Sequence, residues 1–406
     1  MRIGYLIGQY PAINNRYILL EITQLRASGV PVFTCSIAEP DRLRVDLSLA
    51  EREETGSTYY VKRRWMAAPG IHLSMAVRRP LGYLRAAACA WRLSDCHPRS
   101  IVYHLMYFVE AILVARWMEC TGITHLHVNF AMTVGMIAAR AFPASMSFVV
   151  HGFGELYDPA GTRLRLKVEA ASFVRSISRY GQVQLMLSAP PDQWHKLLYV
   201  PLGIDQTEFP APPPFRERPQ PFELLCIGRL APEKGQRLLL ECVARLRRRG
   251  FAVRLHIFGD GPDRAALQQY IKEHDLGGCA VLPGAIDAAR VAEAYSRADA
   301  FVLPSLYEGV PIVLMEAMIM QVPCVAPRIT GIPELIRDGV DGLLFTAGDI
   351  SEIEECVDRL IQSAALRRAL AQSAKQRILA GYDIRENTRR FGAILHEKLA
   401  PAPQKR

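Results

Sequence analysis

The nine cysteines of this 406-residue chain show no pairing pattern: no two are spaced as CxxC, and no framework spacing recurs. That excludes a disulfide scaffold or a zinc knuckle and predicts reduced thiols in a cytoplasmic protein. An Asp-x-Asp pair is also missing, so no bound metal is expected. Long apolar runs are scarce. Arg2–Ile7 is apolar but ends at Gly8, Gln9 and Pro11, which reads as a first strand rather than a signal peptide. The most apolar stretch, Ile101–Met118, is interrupted by His104, Glu110 and Arg116. It predicts a buried helix, since a bilayer span needs about 20 apolar residues in a row. Basic residues interleaved with aromatics are not found, so no nucleic-acid partner is expected.

What is present is length and alternation. Half the residues are apolar, and a chain of this size predicts two domains of roughly 200 residues each. Helical spacing at Ile18, Leu19, Ile22 and Leu25 marks a helix over 16–28 that Gly29 ends, and a strand follows over 31–37. The same alternation gives helix 101–120, strand 125–128, helix 132–141 and strand 147–150. After the stiff segment Pro210–Pro214 a second series starts: strand 222–227, helix 236–249, strand 254–258, helix 264–275, strand 279–282, helix 288–297, strand 300–303 and helix 311–320. Strands alternating with helices predict parallel sheets covered on both faces. The expected fold class is α/β, with two Rossmann-like doubly wound domains facing across a cleft. The expected boundaries are 1–200, 201–384 and a last helix in 385–406 that could pack on either half.

Charge is uneven. Residues 1–200 hold 22 Lys and Arg against 14 Asp and Glu, a net of +8 out of the total of +9. Lys62-Arg63-Arg64-Trp65 and Arg78, Arg79, Arg85 and Arg92 carry much of it. Such a half suits either solvated basic faces or an anionic partner such as acidic lipid.

Ligands of open parallel sheets bind at the carboxyl ends of strands, and the polar loops fall there. Gly228-Arg229 and Lys234-Gly235 follow a strand and precede a helix, so backbone N–H groups and two cations could hold a diphosphate. By itself the pattern also suits an exposed basic turn. Glu308 follows strand 300–303, and Glu316 lies inside the apolar helix behind it. A carboxylate in so apolar a run needs a partner, and ribose hydroxyls would serve. His151-Gly152 follows strand 147–150, where a histidine is either a ligand contact or structural.

These elements resemble glycosyltransferase family 4, of the GT-B fold. The resemblance rests on Gly228-Arg229 with Lys234-Gly235, the E-x7-E pair Glu308 and Glu316, Gly259-Asp260-Gly261-Pro262, Gly331-Ile332-Pro333-Glu334 and Gly339–Leu344. The first half is similar, more loosely, to transferases of bacterial exopolysaccharide assembly, including those of colanic acid synthesis. The resemblance implies transfer of a sugar, with retention, from a UDP- or GDP-linked donor to a saccharide or polyprenyl-phosphate-linked acceptor. It implies catalytic roles for His151, Glu308, Arg229 and Lys234. Donor contacts are implied for Gly228, Gly259, Gly309, Val310, Pro311, Leu314, Glu316, Gly331 and Ile332, and acceptor contacts for Asn14, Asn15 and Arg16. No cofactor is implied, because the nucleotide sugar is a substrate. A cytoplasmic site, peripheral on the inner membrane face, is expected. The alternative class is a non-catalytic nucleotide-sugar sensor or scaffold of a polysaccharide complex.

Overall fold

The computed structural model describes residues 2–12, 15–43, 47–95, 97–212, 214–286 and 288–400. The chain divides into two compact units. The first is Met1–Pro201 with the chain from Ile384 onward, and the second is Leu202–Asp383.

The first unit is built on a seven-stranded parallel sheet. Its strands are β1 (Ile3–Gln9), β2 (Val32–Ala38), β3 (Tyr59–Tyr60), β4 (His125–Asn129), β5 (Ser145–Val150), β6 (Phe173–Ser176) and β7 (Leu197–Tyr199). They lie in the order β3-β2-β1-β4-β5-β6-β7, so the chain reverses direction across the sheet between β1 and β4. Side chains alternate between faces along each strand. Leu6 of β1 and Leu126 and Val128 of β4 pack with the second half of the helix Pro98–Thr121. Gly4 sits on this face because a Cβ there would lie 2.9 Å from the Trp117 ring. On the other face Ile3, Tyr5 and Ile7 meet Ile18, Ile22 and Leu25 of the helix Arg16–Ala27. Phe391 and Leu395 of the final helix, Ile384–Leu399, close this second core.

The second unit has a six-stranded parallel sheet of β8 (Phe222–Ile227), β9 (Val253–Phe258), β10 (Ala280–Gly284), β11 (Ala300–Val302), β12 (Cys324–Pro327) and β13 (Leu343–Phe345). The order β10-β9-β8-β11-β12-β13 puts its switch point between β8 and β11. Leu239, Val243 and Leu246 of the helix Gln236–Arg248 and Ile353, Val357 and Leu360 of the helix Ile350–Gln362 form its core against the sheet. Two parallel α/β sheets are the class the alternation predicts.

Two local expectations are corrected. Pro311 is not the first helical residue: it is extended (φ −74°, ψ 121°) and caps the helix Ile312–Ile319. Within the second unit Ile204 pairs with Asp383 in an isolated parallel bridge. The stretch 101–118 is not buried throughout. Ile101, Val102, Leu105 and Met106 are exposed, whereas Ala111–Ala115 are fully buried. Between β3 and β4 the sequence also hides the helices Ala68–Arg78 and Pro80–Leu93. Apolar residues on both their faces blur the helical period.

Candidate functional site

In the second unit three loops at the carboxyl ends of β9, β8 and β11 interlock. Gly228 N–H donates to Phe258 O at 3.0 Å, Leu230 N–H to Asp260 O at 3.0 Å, and Leu306 N–H to Glu233 O at 2.8 Å. Glycine is required where these backbones touch. A Cβ on Gly259 would lie 1.9 Å from Gly228 O, and one on Gly235 2.3 Å from Pro304 O. Both residues hold positive φ, at 145° and 63°, which L side chains rarely adopt. Gly228 differs: nothing lies within 4 Å of its Cβ position, so its loop is open on that side.

The cation–carboxylate pair lies on these loops. Lys234 Nζ is 2.6 Å from Glu308 Oε1, and the Ser305 hydroxyl donates to the same oxygen at 2.7 Å. Glu308 is buried and Lys234 half-buried, so solvent screens the pair little on the carboxylate side. Arg229 is exposed, and its backbone carbonyl accepts from Gln236 Nε2 at 2.8 Å. Two cations and open backbone at a switch point can bind an anion.

Glu316 lies one helical segment away. The buried Tyr295 hydroxyl is 3.0 Å from Glu316 Oε2 and 3.0 Å from Val313 O. Tyr295 gave no sequence signal, because its partner lies 21 positions further on in another helix. Among the remaining expected donor contacts, Val310, Leu314 and Ile332 are buried. Buried side chains of this kind can shape a site, and their backbone can offer donors and acceptors to it. Gly309 is partly open and Gly331 buried. Next to Gly331, Thr330 holds φ 47° and its buried Oγ1 has no hydrogen-bond partner among the described residues.

In the first unit His151 follows β5 and sits beside the carboxyl end of β4. Its Nε2 is 3.0 Å from Asn129 Oδ1, and its Nδ1 is 3.2 Å from the Tyr17 hydroxyl. A carbonyl oxygen only accepts, so the hydrogen belongs on Nε2 and Nδ1 accepts from Tyr17. The ring stacks on Phe130 at 4.4 Å, 21° from parallel. Burial first, then the charge of Arg175, pushes the His151 pKa down to about 3. It is therefore a neutral imidazole with both nitrogens engaged, suited to positioning rather than to proton transfer near neutrality. Below it Glu155 accepts from Gly152 N–H at 3.2 Å, and burial raises its pKa to about 7. Asn129 Nδ2 is buried with no partner among the described residues. Asn15 and Arg16 open the helix Arg16–Ala27, where Asn15 makes no side-chain cap bond; Asn14 lies outside the described residues. The described residues contain no cluster of three metal-ligating side chains.

Comparison with known proteins places this architecture. Residues 210–377, nearly the whole second unit, match the family model of glycosyl transferases group 1. Among curated relatives, alpha-D-kanosaminyltransferase of Streptomyces kanamyceticus is 34% identical over 161 residues, covering 40% of this chain and 42% of that protein. The amylovoran biosynthesis glycosyltransferase AmsK of Erwinia amylovora is 32% identical over 187 residues, covering 45% and 46%. The chain thus spans less than half the length of these two relatives. A GDP-mannose-dependent alpha-(1-6)-phosphatidylinositol monomannoside mannosyltransferase of Mycolicibacterium smegmatis is 28% identical, covering 64% and 72%. Among solved structures, sucrose-phosphate synthase from Thermosynechococcus elongatus superposes with a TM-score of 0.75 at 17% identity, covering 98% of this chain and 100% of that one. Anabaena HepE in complex with UDP-glucose gives 0.72 at 16% identity, with the same coverage. At such identity the likeness establishes the fold, which is GT-B.

Proposed function

We propose that the chain is a retaining glycosyltransferase. It moves a hexosyl group from a UDP- or GDP-linked donor to a saccharide or polyprenyl-phosphate-linked acceptor in the synthesis of exopolysaccharide or another cell-surface glycan. The observation that carries the reading is the Lys234–Glu308 pair at the switch point of the second unit, beside open Gly228 and exposed Arg229. Support comes from the family match over that unit, from relatives whose names specify amylovoran biosynthesis and dependence on GDP-mannose, and from a structural neighbour solved in complex with UDP-glucose.

In this reading Lys234 and Arg229 hold the donor diphosphate and stabilise the charge that grows on it as the glycosidic bond breaks. They supply positive charge directly, so no metal step is invoked. Glu308, fixed by Ser305 and Lys234, is set near the anomeric carbon, and Glu316, oriented by Tyr295, takes the ribose hydroxyls. The acceptor attacks from the face the diphosphate leaves, and a departing phosphate oxygen takes the acceptor's proton, which retains configuration. Asn15 and Arg16 are assigned to the acceptor. We place the enzyme in the cytoplasm, where the free cysteines, buried except for Cys120 among those described, stay reduced.

The test is donor turnover followed by proton NMR with UDP-glucose and GDP-mannose and simple glycoside acceptors. An α-linked donor giving an α-linked product supports the reading. A β-linked product would overturn retention, and no nucleotide release from any nucleotide sugar would overturn the activity. Glu308→Gln should cut turnover by about 10²-fold while changing nucleotide affinity less than about threefold.

A further inference from the structure

The helices between β3 and β4 carry a feature the donor site does not use. Half of the exposed large apolar side chains among the described residues, twelve of twenty-four, fall between Trp65 and Met106. That span is about a tenth of the chain. Scattered exposed apolar residues are ordinary, but such a concentration marks an interaction site.

The exposure follows helical spacing. On the helix Pro80–Leu93, Ala86, Cys89, Ala90 and Leu93 are buried, while Leu81, Leu84, Ala88 and Trp91 line the opposite face at intervals of three and four. Trp91 is 70% exposed and Leu84 64%. The helix Ala68–Arg78 repeats the pattern with Leu73 and Val77, just beyond Met66, which is 96% exposed. The first half of the helix Pro98–Thr121 adds Ile101, Val102, Leu105 and Met106. This is the one helix among the described residues long and apolar enough to cross a membrane. Its second half, however, is core of the first unit. The three helices pack on one another through the edge-on rings of His72, Tyr83 and Phe108, so the outer stripes belong to one folded cluster.

Charge selects the occupant. Residues 61–109 contain eight Lys and Arg and a single acidic residue, Asp95. Arg85 and Arg92 flank the stripe of Leu84 and Trp91, and neither they nor Arg99 has a carboxylate partner among the described residues. Arg63, Arg78 and Arg79 are partly neutralised by Glu39 and Glu119. An apolar helical face with tryptophan and leucine, bordered by arginine, is the composition that settles into a lipid headgroup boundary.

We propose that the outer faces of these three helices dock the protein on an anionic lipid bilayer, apolar side chains entering the acyl boundary and arginines meeting headgroup phosphates. The proposal is independent of the donor reading, because Lys234→Ala should leave it unchanged.

The test is co-sedimentation of the full chain with vesicles of phosphatidylcholine alone or with 30% phosphatidylglycerol. The wild type should bind the anionic vesicles at least tenfold more tightly than the neutral ones, and less in high salt. Leu84→Glu with Trp91→Glu, and separately Arg85→Glu with Arg92→Glu, should each weaken binding tenfold or more at unchanged melting temperature. Brominated lipid should quench tryptophan emission of the unaltered chain, a readout that needs no variant to fold. No wild-type binding to anionic vesicles, or variants that bind as the wild type does, would overturn the proposal. So would a wild-type dimer that Leu84→Glu with Trp91→Glu splits without any vesicle binding, which would make the face a contact between two copies of this chain.

Discussion

His151 shows how much a residue's neighbours decide its chemistry. Tyr17 and Asn129 occupy its two nitrogens, and burial holds the ring neutral. Because its folded pKa lies below the unfolded value of about 6.5, the stability tied to the neutral ring is present above that pH and is lost as pH falls toward 3. Nitrogen NMR should therefore show one neutral tautomer, protonated on Nε2, at pH 5. Titration near 6.5 would contradict the described burial. The glycines give a second contrast. Gly259→Ala must push a Cβ into Gly228 O, and we expect a loss of about 1–3 kcal/mol in stability from strain at that backbone. Gly228→Ala meets open space and should keep its melting temperature while weakening nucleotide binding. Equal stability losses in the two variants would contradict this packing of the loops. The glycine and cation positions were readable in the sequence because a strand, a turn and a helix follow one another there. The partners of Glu316 and His151 were not. Tyr295, Tyr17 and Asn129 reach those residues only through the sheet order, 21 to 134 positions away.

At the scale of elements, the final helix Ile384–Leu399 is integral to the first unit. Phe391 is fully buried, lies 5.1 Å from the His127 ring, and carries the Arg175 guanidinium over its face at 4.6 Å. Arg175 is itself buried, ion-paired with Glu21 and bonded to Val200 O at 3.1 Å. Phe391→Ala should cost about 3–5 kcal/mol, read as a lower denaturant midpoint of the first unit with the second unit's transition unmoved. Unchanged stability of the first unit would mean the helix is not docked there. The sequence showed this helix by its length and left its docking open, since its apolar stripe suits any sheet face. The strand β3, of two residues, and the helices 68–78 and 80–93 were not legible. One is too short to show a period, and the others are apolar on two faces for two different reasons.

For the whole molecule, charge is divided between the two halves of the chain. The first half carries nearly all the net positive charge, and the structure places much of it beside an exposed apolar face, whereas in the second unit Arg229 and Lys234 lie together past the carboxyl end of the inner strand β8. The α/β class and the alternation of both sheets followed from periodicity, because each parallel strand and its helix are local units. What periodicity could not give was the pairing order that brings β8 beside β11. That order joins Lys234 to Glu308 across 74 residues.

The central claim is that this junction binds a nucleoside diphosphate. The most direct measurement is calorimetric titration of UDP, GDP and ADP into the wild type, Arg229→Ala, Lys234→Ala and the double variant. Each charge-assisted contact contributes about 1.5–3 kcal/mol. One nucleotide should therefore bind at micromolar strength, and each single variant should bind it at least tenfold more weakly. Binding that the double variant leaves intact, or no binding of any of the three by the wild type, would contradict the account.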